Sequence, residues 1–346
     1  FCLRDVPGSV TDVLSLIDDF DFNISYISSE ENGTDYQYFK MGLFVDDPRK
    51  IKTFLKSAEK ICPVKVLDYN HTEKIFDNSI FYESFVSEIA RNARLSDEAR
   101  ENLLINTNLA MQTLDVRGLS PYKTFDSIGK FAELISRYKG ENFSPRITAH
   151  TVSDNTEIVL IEPPCGSNTA VIKHGDEALF IDCGYACYKE EMQNLFRKIL
   201  PDYDNMEKRV LITHADVDHA GLLPFFDEVL ASEKSAECLT AEYEGRDGLR
   251  EQNRLHKPYV NICKTVTGYT PVNPEKIKVI SKERNSGGFP LQSVGEFSFG
   301  DMAFEILEGK GGHLEGEIVL VDYINHIVFS GDIYVNTHDL TAEQKE

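Results

Sequence analysis

Tryptophan is absent from this 346-residue chain, and its absence decides nothing, but three other shortages exclude whole classes of protein. No stretch approaches the ~20 consecutive apolar residues that a membrane-spanning helix needs, so a membrane partner is not expected. Cysteine is sparse. The seven thiols (Cys2, Cys62, Cys165, Cys183, Cys187, Cys238 and Cys263) are odd in number, and no two have C-x-x-C spacing. In a chain this long that reads as reduced thiols in a cytoplasmic protein, not a disulfide framework. Positive charge is scarce too: 36 Lys and Arg against 57 Asp and Glu give a formal net charge of -21. Such a surface repels phosphate backbones at long range, which disfavours broad nucleic-acid binding unless a local basic patch overrides it. The opening Phe1-Cys2-Leu3-Arg4 runs straight into a charged, turn-forming segment and does not read as a signal peptide. Neither an internal repeat nor a low-complexity tract is present. What the chain does have is apolar material, 41% of its residues, enough to build folded cores.

Three regions follow from the patterning. In residues 1–70, Leu3 begins a strand and Asp5-Val6-Pro7-Gly8-Ser9 marks a turn and a helix start. Val10, Val13, Leu14 and Ile17 recur at helical spacing. Asn23–Ser28 alternates as a strand, Glu31-Asn32-Gly33-Thr34 signals a hairpin, and Tyr38–Val45 is the returning strand. Pro48–Lys60 reads as a second helix and Val64–Leu67 as a last strand. The order βαββαβ is a ferredoxin-like plan. The segments Asp5–Val10 and Phe22–Ile27 resemble an ACT domain, a small regulatory module. On that resemblance the Pro7-Gly8 turn would meet the carboxylate of an amino-acid effector, and the module would pair two chains into a homodimer. Residues 71–147 read as a helical connector, with Phe81, Phe85, Ile89 and Leu95, then Leu103, Leu104, Leu109 and Leu114, on apolar faces. From 148 to 346 the texture is mixed α/β, with strands at 157–161, 169–172, 178–181, 209–212, 303–307, 318–321 and 327–329 and a helix expected near Ala220.

The chemistry concentrates where a β-branched strand, Arg209–Ile212, runs into Thr213-His214-Ala215-Asp216-Val217-Asp218-His219. Four ligand-type residues stand in six positions. Two carboxylates that close repel each other unless a cation intervenes, and mixed nitrogen and oxygen donors suit zinc, iron or manganese. Strand-end loops are natural places for such sites.

This loop resembles that of the metallo-β-lactamase superfamily, H-x-H-x-D-H after a strand. Other motifs follow the family order: Phe180-Ile181-Asp182-Cys183-Gly184, Gly311-Gly312-His313-Leu314-Glu315-Gly316 and Phe329-Ser330-Gly331-Asp332. The resemblance implies an αβ/βα sandwich with two divalent metals at one edge. His214, Asp216 and His313 would hold metal one, Asp218 and His219 metal two, and Asp332 would bridge them. Asp182 would orient ligands. The implied activity is hydrolysis of a carbonyl or phosphoryl small-molecule substrate by metal-activated water, with Asp218 as proton acceptor.

Two departures qualify this. Asp216 stands where most members have His, which hardens the site and makes manganese and iron more plausible relative to zinc. H-x-D-x-D-H is also the form of competence-type phosphodiesterases or nucleases. The flavodiiron proteins have H-x-E-x-D-H followed by Gly and Leu-Pro, as in Gly221-Leu222-Leu223-Pro224 here, so a di-iron oxygen-handling oxidoreductase or oxygen sensor is the alternative. The family also supplies a last His to metal two well after the Gly-Asp strand. Only 14 residues follow Asp332, with His338 among them, so the C-terminal part of the domain is expected to be missing. Outside the motifs, Arg246, Arg250 and Arg254 recur every fourth residue. If Glu244–Leu255 is a helix they line one face, read as a solvated face paired with Glu242, Glu244 and Glu251. Cys183 and Cys187 read as packing residues.

Overall fold

The computed structural model describes residues 1–31, 35–45, 47–66, 78–117, 119, 121–282, 290–310 and 313–334. The chain divides into two compact units, Phe1–Phe125 and Asp126–Glu346.

In the first unit the described elements are β1 (Cys2–Arg4), α1 (Thr11–Asp19), β2 (Asn23–Glu31), β3 (Tyr36–Phe44), α2 (Ile51–Ala58), α3 (Asn78–Ala93), α4 (Asp97–Val116) and the start of α5 (Pro121–Arg137). The sheet has the order β1-β3-β2, antiparallel throughout. Val13 and Ile17, four apart on α1, and Ile51, Phe54 and Ala58 on α2 are the buried positions that their helical spacing requires. They pack with Leu3, Phe22 and Met41, and the rings of Phe20, Phe22 and Phe54 meet at 5.1–5.7 Å. The Pro7-Gly8 turn does precede α1. Gly8 takes φ 86°, a left-handed conformation that glycine adopts freely, and its carbonyl accepts the Thr11 N–H. Of the expected hairpin signal, residues 32–34 lie outside the described residues, while the strands beside it pair with Glu31 opposite Gln37.

Two expectations fail here. Residues 63–66 form no strand. Their link to the sheet is Cys2 N–H donating to Pro63 O at 2.9 Å; Pro63 has no N–H with which to return a ladder bond. Leu67 lies outside the described residues. On α4, Leu103, Leu104 and Leu114 are buried but Leu109 is exposed. Five residues beyond Leu104 is about 140° further round the helix, off the packed face.

The second unit stacks two sheets. The larger runs β10-β9-β8-β7-β6-β5-β4 and the smaller β11-β12-β13-β14. Their strands are β4 (Arg146–Thr151), β5 (Thr156–Glu162), β6 (Thr169–His174), β7 (Glu177–Ile181), β8 (Arg209–Leu211), β9 (Glu228–Ala231) and β10 (Ile277–Val279), then β11 (Gln292–Phe299), β12 (Met302–Glu308), β13 (Ile318–Asp322) and β14 (Ile327–Phe329). The helices are α6 (Lys189–Ile199), α7 (Glu233–Tyr243) and α8 (Lys257–Thr267). β4 to β7 form an antiparallel meander, and β7 to β10 are parallel.

Ala178–Ile181 is apolar without interruption because β7 is covered on both faces. Leu179 and Ile181 enter the core between the sheets with Leu211, Phe304, Ile306 and Leu320. Phe180 faces the other way, its ring 4.9 Å from Phe196 of α6. The parallel β7 and β8 therefore end side by side, and the loops leaving their carboxyl ends lie together, where ligands of open α/β sheets are commonly held.

The helix expected near Ala220 does not form; a single 3-10 turn, Leu223–Phe225, takes its place, with Pro224 at its start. Gly221 explains the tight path. A Cβ there would stand 2.3 Å from Ala186 N and 2.4 Å from Gly184 O, so the loop after β7 and the loop after β8 touch backbone to backbone. No helix of the described residues is long and apolar enough to cross a membrane.

Candidate metal centre

Four loops deliver the predicted residues to one place. Asp182 follows β7, His214 to His219 follow β8, and His313 and Asp332 come from the ends of β12 and β14. Ile318 N–H donates to Thr213 O at 2.9 Å, tying the second sheet to the loop after β8.

Asp182 is the hub of the buried side. It takes φ 57°, a left-handed conformation uncommon for a residue with a Cβ. One carboxylate oxygen accepts the Thr213 N–H at 2.8 Å; the other accepts the Thr213 hydroxyl at 2.8 Å and faces His219 Nδ1 at 2.9 Å. The threonine hydroxyl has one proton and gives it to Asp182, so its oxygen accepts from His214 Nδ1, 3.1 Å away. One carboxylate thus sets the orientation of both imidazoles and leaves both Nε2 atoms facing inward. His214 Nε2 and His219 Nε2 are buried without a hydrogen-bond partner. Their rings are tilted by 44° with centroids 4.0 Å apart.

The remaining donors close around those two atoms. His219 Nε2 lies 3.3 Å from Asp332 Oδ1 and 3.9 Å from Asp218 Oδ2. His313 Nε2 lies 3.5 Å from Asp216 Oδ2 and 3.4 Å from Asp332 Oδ2. Two sets of three donor atoms each fall within 4.8 Å of one another: His214, Asp216 and His313, and His214, His219 and Asp332. His214 belongs to both and Asp218 to neither. Gly331 lets Asp332 approach: at φ 53°, a Cβ would stand 2.9 Å from Thr213 Oγ1 and 3.0 Å from Glu317 Oε1. The Asp332 N–H then donates to Glu317 at 2.8 Å.

Titration directions follow from this crowding. Burial lowers the proton affinity of His214, and the neighbouring His219 adds to it, to about 4. Burial acts the same way on His219, but the Asp182 carboxylate outweighs it, with help from Asp332 and Asp218, and raises His219 well above the usual histidine value. Burial pushes the Asp218 carboxyl up to about 6. Asp216 is buried too, yet His313, Arg250 and His214 hold it below the ordinary carboxylate range. A cluster that raises one histidine so far is a cluster short of positive charge. Inward-facing imidazole nitrogens among carboxylates are donors of the kind a divalent ion takes, so the residues fit the metal centre that the motif implies.

Several participants carried no signal in the sequence. Thr213 and Glu317 stand beside motif residues without a motif of their own. Ser167, whose hydroxyl donates to Asp218 O at 2.6 Å, comes from the loop before β6. The spacing of Arg250 suggests different surroundings from those it has. Residues 246–248 are irregular and 249–256 run through turns and one bend, not a helix, with Gly245 left-handed before them, so the three arginines share no helix face. Arg246 pairs with Glu244, whereas Arg250 reaches Asp216 at 2.6 Å. Pro7 and Gly8 belong to the first unit. Gly311, Gly312 and His338 lie outside the described residues.

Stacked α/β layers with a histidine- and carboxylate-lined cluster at one edge define an α/β sandwich with a candidate metal centre. The family model for the metallo-beta-lactamase superfamily matches residues 163–338, just over half of the chain, and the chain belongs to that superfamily. Similar solved structures include a flavoprotein from Thermotoga maritima (18% identity, 54% of this chain, 42% of that chain, TM-score 0.35). They also include a metallo-beta-lactamase from Elizabethkingia meningoseptica (15% identity, 50% and 55% coverage, TM-score 0.34) and a flavo di-iron protein variant from Thermotoga maritima (17%, 52% and 40%, 0.33). The chain spans about half the length of these structures. No curated protein matches it.

Proposed function

We propose that the second unit is a metal-dependent hydrolase acting on a carbonyl or phosphoryl centre. The observation that carries the proposal is the pair of buried, inward-facing Nε2 atoms of His214 and His219, gathered with Asp216, His313 and Asp332. His214, Asp216 and His313 would hold one ion; His219 and Asp332, with His214 or Asp218, would hold a second. Bound divalent ions would supply Lewis acidity that brings a water's pKa toward neutrality. The protein's own part is positional and protic. Asp182 and Thr213 keep both histidine Nε2 atoms aimed inward, which fixes the donor geometry before any ligand arrives. Asp332 is held by its backbone to Glu317, so its carboxylate faces both His219 and His313. Asp218, with its carboxyl pushed up to about 6, is the group suited to take a proton from attacking water and return it to the leaving group.

A second reading, di-iron oxygen chemistry, is favoured by the carboxylate share of the donor set, with Asp216, Asp218 and Asp332 all oxygen donors. One experiment separates the two: metal analysis of protein purified without added metal, with an optical spectrum recorded in air and turnover of a generic phosphodiester and thioester. Zinc or manganese with turnover supports the hydrolase. Two irons with an oxygen-dependent absorption, and no turnover, overturn it. Full activity retained after Asp218→Ala overturns the role of Asp218.

A further inference from the structure

Arg250 stands in the place of an ion. Its Nη2 is 2.6 Å from Asp216 Oδ2 and 3.1 Å from His313 Nε2. Asp216 and His313 are two of the three donors in the outer set. A guanidinium donates and never accepts, so it engages the Asp216 oxygen that an ion would need, crowds His313 Nε2 (which accepts from it only in the tautomer that leaves that nitrogen bare), and does not give up its proton in proteins. It can leave only by moving.

The backbone beneath it is anchored. Glu251 is buried and ion-paired with Lys264, which also holds Glu242 at 2.8 Å, and Tyr269 donates to Glu242 at 2.7 Å. Gly248 is pressed against the same network, since a Cβ there would lie 2.9 Å from Glu251 Oε2 and 3.0 Å from Cys238 Sγ. The Leu249 N–H points at Cys238 Sγ at 3.5 Å. The Arg250 side chain keeps 31% of its surface exposed, which leaves it room to swing outward while the chain stays put. The deep set holds no such cation among the described residues: His214 Nε2 has no hydrogen-bond partner, and His219 Nε2 faces its fellow donor Asp332 Oδ1 at 3.3 Å.

We propose that Arg250 is a tethered cation that competes with metal for the Asp216–His313 side of the centre, so that the two sides fill unequally. The deep set of His214, His219 and Asp332 takes an ion first. The outer set takes one only when Arg250 is displaced, and the released guanidinium then stands at the mouth of the site, where it can meet an anionic group of the substrate. This rests on the reading of the cluster as a metal centre.

The test is calorimetric titration of the metal-stripped protein with zinc, with metal content after gel filtration as a second readout; neither uses activity. The wild type is expected to bind in two steps at least tenfold apart. Arg250→Met is expected to tighten the weaker step at least tenfold and leave the tighter one in place. Arg250→Lys, which keeps a cation but loses the planar fork, is expected to fall between, and it serves if the methionine variant does not fold. Asp216→Asn should remove the weak step and His219→Ala the tight one. Two equal steps in the wild type, or a weaker step unchanged in both Arg250 variants, overturns the competition. No zinc bound by any variant overturns instead the metal-centre reading on which it stands.

Discussion

The two sides of the centre are built by different means. The buried part of the deep side hangs on the ends of parallel strands: β7 delivers Asp182 and β8 delivers Thr213 and His214, and the contacts of the Asp182 carboxylate are short and buried. The outer side is assembled from loops that reach in from far along the chain, with His313 and Arg250 each about a third exposed. The contrast teaches that orientation on the deep side is fixed before any ion arrives, whereas the outer side has a choice of partners.

The largest effect should come from breaking the deep side. Asp182→Ala leaves the Thr213 N–H, the Thr213 hydroxyl and the His219 Nδ1–H without their acceptor in a buried site, and should cost about 3–5 kcal/mol of unfolding free energy, read by urea denaturation. A loss below about 1 kcal/mol would mean that water substitutes there and that the deep side is not pre-set.

Gly221→Ala comes next. The new methyl meets the backbone of Ala186 and Gly184, which cannot step aside cheaply, and a loss of about 1–3 kcal/mol is expected in the same measurement. Wild-type stability would show that the two strand-end loops can separate.

The pH dependence of the metal-free protein sharpens the comparison further. His219 has its folded value raised, so its contribution is fully present below the unfolded value of about 6.5 and is lost as pH rises through the folded value. His214 has its value lowered to about 4, so its contribution is present above about 6.5 and is lost as pH falls toward 4. Thermal melts of stripped protein should therefore show a decline on the alkaline side that His219→Gln removes. A decline that survives this substitution belongs to another group. Zinc should flatten it in the wild type, because the ion replaces the proton. The smallest effect is reserved for Arg246→Ala, four residues from Arg250 but paired only at the surface with Glu244. It should change stability by no more than about 0.5 kcal/mol and leave zinc uptake untouched.

Much of this was legible in residue order. Alternation and helical spacing placed seven of the eleven described strands of the second unit and the first two helices, because burial on one face or two leaves a period in the sequence, whereas β4, β9, β10 and β11 were not anticipated. The ligand types in Thr213–His219, with His313 and Asp332 in order behind them, pointed to a shared site. What misled was local context. The spacing of Arg246, Arg250 and Arg254 suggested a helix that Gly245 and Gly248 interrupt, and Leu222 to Phe225 is held in a tight turn by the contact under Gly221. The strand expected after Pro63 had suitable residues but no returned ladder bond.

By itself, then, the sequence determined the donor chemistry of the centre, since imidazole and carboxylate identities are written residue by residue. Only the tertiary structure decided which donors share an ion, that one buried carboxylate orients two histidines, and that Arg250 lies against Asp216 and His313. Those outcomes depend on strand ends brought side by side by sheet packing, and distances across 30 to 150 positions of chain carry no period that a sequence can display.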